Sequence, residues 1–293
     1  MYSSLTETDV ADAIHTALDL GINFIDTAPH YGRGVAETRL GVNLEGVPRK
    51  SFVISTKVGR LLLPVEGESD TQFFDADHNV TQVFDYSAEG VKRSLLESLE
   101  RMGLDSVEMV LIHDPDDFAD QALSEAYPEL EKLRAQGIIK AIGIGMNQSA
   151  IPTRFVKETD IDLVLIAGRY SLLDQSAAED LLPAALAKDV AIIVGGVFNS
   201  GILANPVEGS MNNYASASEE ILGRAKQINE VLRDFNVTIA QAAMQFPLRH
   251  PAVKAILVGC RSGKEVRENV AAFNADIPEA AWQALADLQS EIV

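Results

Sequence analysis

Cysteine and basic charge are both scarce in this sequence, and long apolar runs are absent. One cysteine, Cys260, in 293 residues excludes an internal disulfide and a Cys/His zinc cluster, and it fits a reducing compartment. Lysine and arginine total 24 against 43 aspartates and glutamates, for a net charge of −19. A general nucleic-acid surface needs concentrated cations, so that partner class is not expected. No apolar run nears the ~20 residues of a membrane helix. The opening MYSSLTETDVADAIHTALDLG has no basic segment followed by an apolar core, so it does not read as a secretory leader. The expected location is the cytoplasm. The acidic stretch HDPDD does not by itself supply the several converging carboxylates that a hard cation wants, and no metal is expected.

What the chain has in quantity is alternation. Short β-branched runs are predicted as strands at 22–26, 52–57, 107–112, 139–144, 162–167, 190–195 and 253–258. Helical periodicity falls at 8–20, 35–44, 87–102, 119–136, 149–158, 176–188, 217–235, 238–247, 262–273 and 278–291. In EGVKRSLLESLERMG, Val91, Leu95, Leu96 and Leu99 are expected to form one stripe ending at Gly103. Strands that each hand over to a helix imply parallel pairing under helical cover. Without a break in composition, the pattern favours one barrel domain over residues 1–293 rather than two domains. Seven strands are one short of a (β/α)8 barrel, and the chain opens on a helix. Residues 60–86 and 196–216 are expected to be long loops, the common form of lids and binding segments.

Three polar residues close three of the apolar runs: Asp26 ends GINFID, Lys57 ends FVISTK and His113 ends VEMVLIH. In a barrel such strand ends converge on one rim. Asp26 and Lys57 would satisfy each other there, either as a structural ion pair or as part of a reactive group. Tyr31, five positions past Asp26, favours the second. A phenol has an unperturbed pKa of about 10, and a neighbouring ammonium is expected to lower it, so Tyr plus Lys makes a usable proton donor and acceptor. His113 would then hold a substrate oxygen, and His30 is a candidate to line the same site. His15, His78 and His250 read as surface or turn residues, and Trp282 as packing for the last helix.

GINFIDTAPHYGRGVAETRLG, STKVG and VLIHDPD resemble the signature segments of the aldo-keto reductases, from about residue 8 to 275. The resemblance implies a (β/α)8 TIM barrel that binds an extended nicotinamide dinucleotide without a Rossmann domain. The absence of a GxGxxG between a strand and a helix agrees. It also implies Tyr31 as general acid/base, Lys57 and Asp26 tuning it, and His113 orienting the reacting oxygen. For the cofactor it implies Asn147 at the carboxamide and Arg169 or no residue taking a contact that Ala167 has lost, with Tyr170 following. GGVFNSG, with Gly196, Phe198 and Ser200, matches the segment over the pyrophosphate. Gly195 replaces a stacking aromatic for which Phe198 is a candidate substitute. LVGCRSGKEVRENV, with Gly259, Arg261, Glu265 and Asn269, matches the adenosine end. Gly259 and Glu265 stand where a 2′-phosphate clasp is common, which favours NAD and leaves NADP possible through Arg261.

Within the family, VFDYS, LIHDPDD, AGRYSLLDQ and VGGVFNSGIL are most similar to the aldose 1-dehydrogenases, the D-threo-aldose or L-fucose dehydrogenases. That branch implies oxidation of an anomeric hydroxyl to a lactone. Pyridoxal or another alcohol is the rival substrate on the same scaffold. A Schiff-base aldolase through Lys57 and a non-catalytic nicotinamide-sensing subunit are rivals of other classes; the intact residue set argues against the sensor. The hairpin and first strand that usually open this fold have no counterpart before MYSSLTETD, so the expectation is either a start upstream of Met1 or a truncated barrel.

Overall fold

The computed structural model describes residues 4–66, 76–213 and 215–290. All seven predicted strands are present, each within two residues of its expected bounds. The strands are β1 Phe24–Asp26, β2 Val53–Val58, β3 Arg60–Pro64, β4 Val80–Phe84, β5 Met109–His113, β6 Ala141–Met146, β7 Leu163–Ala167, β8 Ala191–Gly195, β9 Met211–Asn212, β10 Ala215–Ser216 and β11 Val253–Leu257. The main sheet has seven strands among the described residues, β1-β2-β5-β6-β7-β8-β11 in chain order, the strand order of a (β/α)8 barrel with one strand fewer. The chain divides into two compact units, one of Met1–Met146, Ile151–Leu165 and Gly259–Arg267, the other of Asn147–Ala150, Ile166–Val258 and Glu268–Val293.

In the first unit β1 pairs in parallel with β2 through Asp26↔Ser55, β2 with β5 through Lys57↔Leu111, and β5 with β6 through His113↔Gly145. This register sets the polar strand ends side by side. The apolar positions of β2, β5 and β6 are almost wholly buried, as expected of parallel strands covered on both faces. Helix α1, Glu7–Asp19, starts at a capping box: Thr6 Oγ1 accepts from Asp9 N at 3.2 Å, and Asp9 Oδ2 accepts from Thr6 N at 3.1 Å. Ser87 caps the helix Ala88–Met102, which stops at Gly103 in the left-handed conformation.

Three expectations are corrected in this unit. Leu96 is 47% exposed while Val91, Leu95 and Leu99 are buried. The stripe follows the i, i+4, i+8 row, and Leu96 lies about 100° round the helix from it. The predicted helix 119–136 is interrupted by a π-turn at Ala122–Ala126 between Ala119–Gln121 and Tyr127–Ala135. Pro128 sits just beyond, where its missing N–H cannot continue the α ladder. The segment 60–86 is not a plain loop, because β3 and β4 form an antiparallel ladder from Arg60↔Phe84 to Pro64↔Val80. Residues 67–75 of that segment lie outside the described residues.

The second unit has its own core of Leu172, Ile202, Leu203, Leu232, Ala242 and Trp282. The helices Glu219–Arg233, Ile239–Gln245 and Glu279–Ser290 contribute to it, the second opened by a Thr238/Gln241 capping box. Segment 196–216, expected as a loop, carries a 3₁₀ turn at Asn199–Gly201 and the small β9–β10 hairpin. The predicted helix 176–188 is a 3₁₀ turn, Ser176–Ala178, then a helix Leu181–Lys188 capped by Asp180. Among the described residues no helix is long and apolar enough to cross a membrane, and no three His, Cys, Asp or Glu side chains converge on a metal position.

Candidate active site

Lys57 is buried to 1% exposure at the end of β2, so each of its three N–H groups needs an acceptor. Three are in place: Asp26 Oδ2 at 2.6 Å, Thr27 O at 3.0 Å and Tyr31 Oη at 3.0 Å. Asp26 Oδ1 accepts in turn from Ser55 Oγ at 2.5 Å, its register partner on β2. The ammonium is thereby held by a tripod whose third leg is the phenol oxygen, with the nitrogen also 4.5 Å from the centre of the Tyr31 ring. Burial works against the Lys57 ammonium, but Asp26 foremost and then Tyr31 outweigh it and hold its pKa above the ordinary lysine range.

The expected lowering of the Tyr31 pKa is not what this environment gives. Burial of the phenol, the largest influence, disfavours phenolate; the Lys57 charge opposes it and the Asp26 charge reinforces it. The net direction is up. Tyr31 is a phenol at neutral pH, a proton donor before it is an acceptor.

His113, at the end of β5, faces Tyr31 edge-on at 6.1 Å between ring centres and His30 at 5.7 Å. Burial, then the Lys57 and Arg60 charges, drive the His113 pKa well below its usual value. Burial, then Arg60, takes His30 down to about 4. Both rings are therefore neutral at physiological pH, polarising groups rather than charges. His30 Nδ1 lies 2.7 Å from Gln82 Oε1 on β4 and 3.2 Å from Arg60 Nη1 on β3.

The backbone leaving β5 is fixed from beneath. The Tyr86 hydroxyl lies 2.5 Å from His113 O and 2.8 Å from Asp114 O. Its ring occupies the space that a side chain at Gly59 would fill, since a Cβ there would fall 2.2 Å from Tyr86 Cε1, and Gly59 also takes φ +104°. Asp114 sits at φ 45°, and its carboxylate is bound by Arg60 Nη2 at 2.8 Å. Arg60, Gln82, Tyr86 and Asp114 were not singled out from sequence. The hairpin register that aligns them has no local signature, although the VFDYS and HDPDD segments contain two of the four.

Of the remaining expected residues, Gly259, Arg261 and Glu265 also lie in the first unit. Arg261 binds Glu265 Oε1 through Nε at 2.8 Å and Nη2 at 2.5 Å, and its own amide donates to Oε2 at 2.8 Å. The Gly263 amide, at the start of the helix Gly263–Phe273, donates to Asp12 Oδ2 of α1 at 2.8 Å. That approach is so close that a Cβ on Gly263 would meet Thr16 Oγ1 at 2.4 Å. The leading amide of this helix thus serves a protein carboxylate instead of an incoming phosphate.

In the second unit Arg169 donates to Asn147 O at 2.6 Å and pairs with Asp174 at 2.8 Å. Tyr170 is buried against Phe246 and His250. Phe198 packs on that unit's core, and Asn269 is half-buried. Gly196 and Ser200 are exposed on the turn, where Asn199 and Ser200 take φ 44° and 61°. The amides there close the turn itself, Asn199 N donating to Gly196 O and Gly201 N to Phe198 O, each at 2.9 Å. Among the described residues the buried Asn199 Oδ1 of this unit has no hydrogen-bond partner. In the first unit the buried Thr27 Oγ1, next to Asp26 in the chain, likewise has none among the described residues, and a polar ligand group at the Asp26 end of β1 would answer it.

A sequence profile of the aldo/keto reductase family matches residues 2–290. The D-threo-aldose 1-dehydrogenase of a Pseudomonas species is 38% identical over 98% of this chain and 90% of its own. The pyridoxal 4-dehydrogenase of Microbacterium luteolum is also 38% identical, over 97% of this chain and 89% of its own. Among solved structures, the holo form of an aldo-keto reductase from Bacillus halodurans superimposes with a TM-score of 0.78 at 25% identity, covering 98% of this chain and 89% of that one.

Proposed function

Because the chain belongs to the aldo/keto reductase family, we propose that it oxidises the anomeric hydroxyl of an aldose of the L-fucose or D-threo type to the lactone, with NAD as oxidant. The observation that carries this reading is the Asp26–Lys57–Tyr31 tripod facing two neutral imidazoles. When bound, the nicotinamide ring supplies the acceptor for the hydride that leaves C1. Lys57 stabilises the charge on Tyr31 Oη once its proton has departed, the phenolate then takes the hydroxyl proton and becomes neutral, and His113 hydrogen-bonds the anomeric oxygen as it becomes a carbonyl. Since Tyr31 rests as a phenol, oxidation requires that its proton first depart, whereas carbonyl reduction draws on the resting form. Oxidation therefore gains with rising pH and reduction loses.

Asn147, Arg169, Tyr170, Gly196, Phe198, Ser200, Gly259, Arg261, Glu265 and Asn269 are proposed to hold the dinucleotide. NAD is favoured because the Arg261 guanidinium already answers the Glu265 carboxylate. A 2′-phosphate would have to break that pair and stand beside the carboxylate, while a ribose hydroxyl can donate to it. The single cysteine supports a reducing, cytoplasmic setting.

Pyridoxal is the second substrate to test, given the equal identity to the pyridoxal enzyme. The assay follows reduced nicotinamide by absorbance with L-fucose, D-arabinose, L-galactose and pyridoxal, each with NAD and NADP. Turnover on a sugar with NAD is the expected result. No turnover on any sugar sinks the substrate assignment, and faster turnover with NADP sinks the cofactor assignment.

A further inference from the structure

Beside the reacting centre stands a carboxylate that the proton chemistry does not use. Asp114 Oδ2 is 3.4 Å from His113 Nε2 and 2.8 Å from Arg60 Nη2. Arg60 is itself fixed, with its guanidinium 4.8 Å over the Phe84 ring and Nη1 3.2 Å from His30 Nδ1. The Asp114 side chain keeps 27% of its surface exposed, and among the described residues Oδ1 accepts no hydrogen bond. An aspartate held in the left-handed region at φ 45°, with one oxygen tied to a clamped arginine, is an oriented acceptor beside His113 whose second oxygen is unengaged among the described residues.

We propose that Asp114, positioned by Arg60, accepts a hydrogen bond from the substrate hydroxyl on the carbon next to the reacting one, and so selects α-hydroxylated substrates. The inference rests on the sugar-oxidation reading above and names which part of the sugar that site reads. The geometry explains the choice of partner. A carboxylate oxygen can only accept, so its match is a donor, and the hydroxyl at C2 of an aldose is the donor nearest to an anomeric oxygen held by His113. A carbonyl compound without that hydroxyl would leave Oδ1 desolvated and unanswered, and selection by such a penalty is stronger than selection by shape.

The test compares kcat/KM for L-fucose and for 2-deoxy-L-fucose in the wild type, Asp114→Asn and Asp114→Gly. Asparagine and glycine both tolerate the left-handed backbone, so the turn is kept, and thermal melts verify folding. The wild type is expected to favour L-fucose by about 10- to 100-fold, the range of a charge-assisted hydrogen bond. In the Asp114→Gly enzyme the ratio should fall to within about threefold of one. The loss should fall more heavily on L-fucose than on the deoxy sugar, so that the ratio and not the absolute rate is read, and Asp114→Asn should lie between. An unchanged ratio in folded variants that still oxidise L-fucose overturns the Asp114 assignment and leaves the sugar reading intact. If the wild type oxidises neither sugar, the sugar reading fails and the subsite falls with it.

Discussion

Two ion pairs in the first unit have nearly equal lengths and opposite characters. Asp26–Lys57, at 2.6 Å, leaves 2% of either side chain exposed, whereas Arg261–Glu265, at 2.5 Å, leaves 65% and 28%. The buried pair is surrounded by further acceptors and donors from Thr27, Tyr31 and Ser55, so neither charge can change without disturbing several bonds. The exposed pair is one i,i+4 contact plus a backbone amide, and water replaces it at small cost. Distance alone therefore says little about what a pair does. Burial makes the first a fixed part of a reactive centre and leaves the second open to exchange with a ligand.

The largest break in this contrast is at the third leg of the tripod. Tyr31→Phe removes the proton carrier and should lower kcat about 10²–10⁴-fold while cofactor affinity, read by fluorescence titration, stays within about threefold. Retained turnover would remove Tyr31 from its assigned role. Next comes the pair itself. Lys57→Met strands the Asp26 carboxylate and should cost about 3–5 kcal/mol in urea unfolding. Adding Asp26→Leu should return much of that stability without returning activity. If the double variant is no more stable than the single, the unanswered charge is not the cause.

A finer test uses pH. In the free enzyme Tyr31 should ionise above the ordinary phenol range, seen as an alkaline ultraviolet difference between wild type and Tyr31→Phe, because its burial outweighs the Lys57 charge. Oxidative kcat/KM should climb with pH toward that region as the phenol loses its proton, and reductive kcat/KM should fall there. Ionisation below the ordinary range would reverse the assignment of burial as dominant. The smallest effect belongs to the exposed pair. Glu265→Gln should change stability by less than about 1 kcal/mol, yet raise the NADP to NAD ratio of kcat/KM severalfold by freeing Arg261. A ratio that does not move would place the cofactor choice elsewhere.

The strands were legible because buried parallel strands are written as continuous β-branched runs, and the tetrad was legible because each member sits at or just past the end of one. The β3–β4 hairpin is hard to read because the sequence between its strands is long and rich in Asp and Glu, which outweighs the strand character of RLLLP and VTQVF. Arg60 and Asp114 are 54 residues apart, the same offset at which β2 pairs with β5, so their meeting depends on a strand pairing that no local sequence signal gives. The direction of the Tyr31 shift was misjudged for a related reason. An ammonium nearby can be inferred from spacing, while the desolvation that opposes it exists only once the neighbours have packed.

The three-legged hold on Lys57 also bears on chemical self-protection. An aldehyde meeting a lysine with an available lone pair condenses to an imine, and an enzyme that handles sugars or carbonyl products works among such aldehydes. Every N–H of Lys57 is engaged, and Asp26 keeps the nitrogen protonated, so it has no electron pair to offer. The same contacts that tie the nitrogen to Tyr31 thereby make it inert toward the molecules passing beside it. Borohydride added in the presence of a reducing sugar should leave the mass of the peptide carrying Lys57 unchanged.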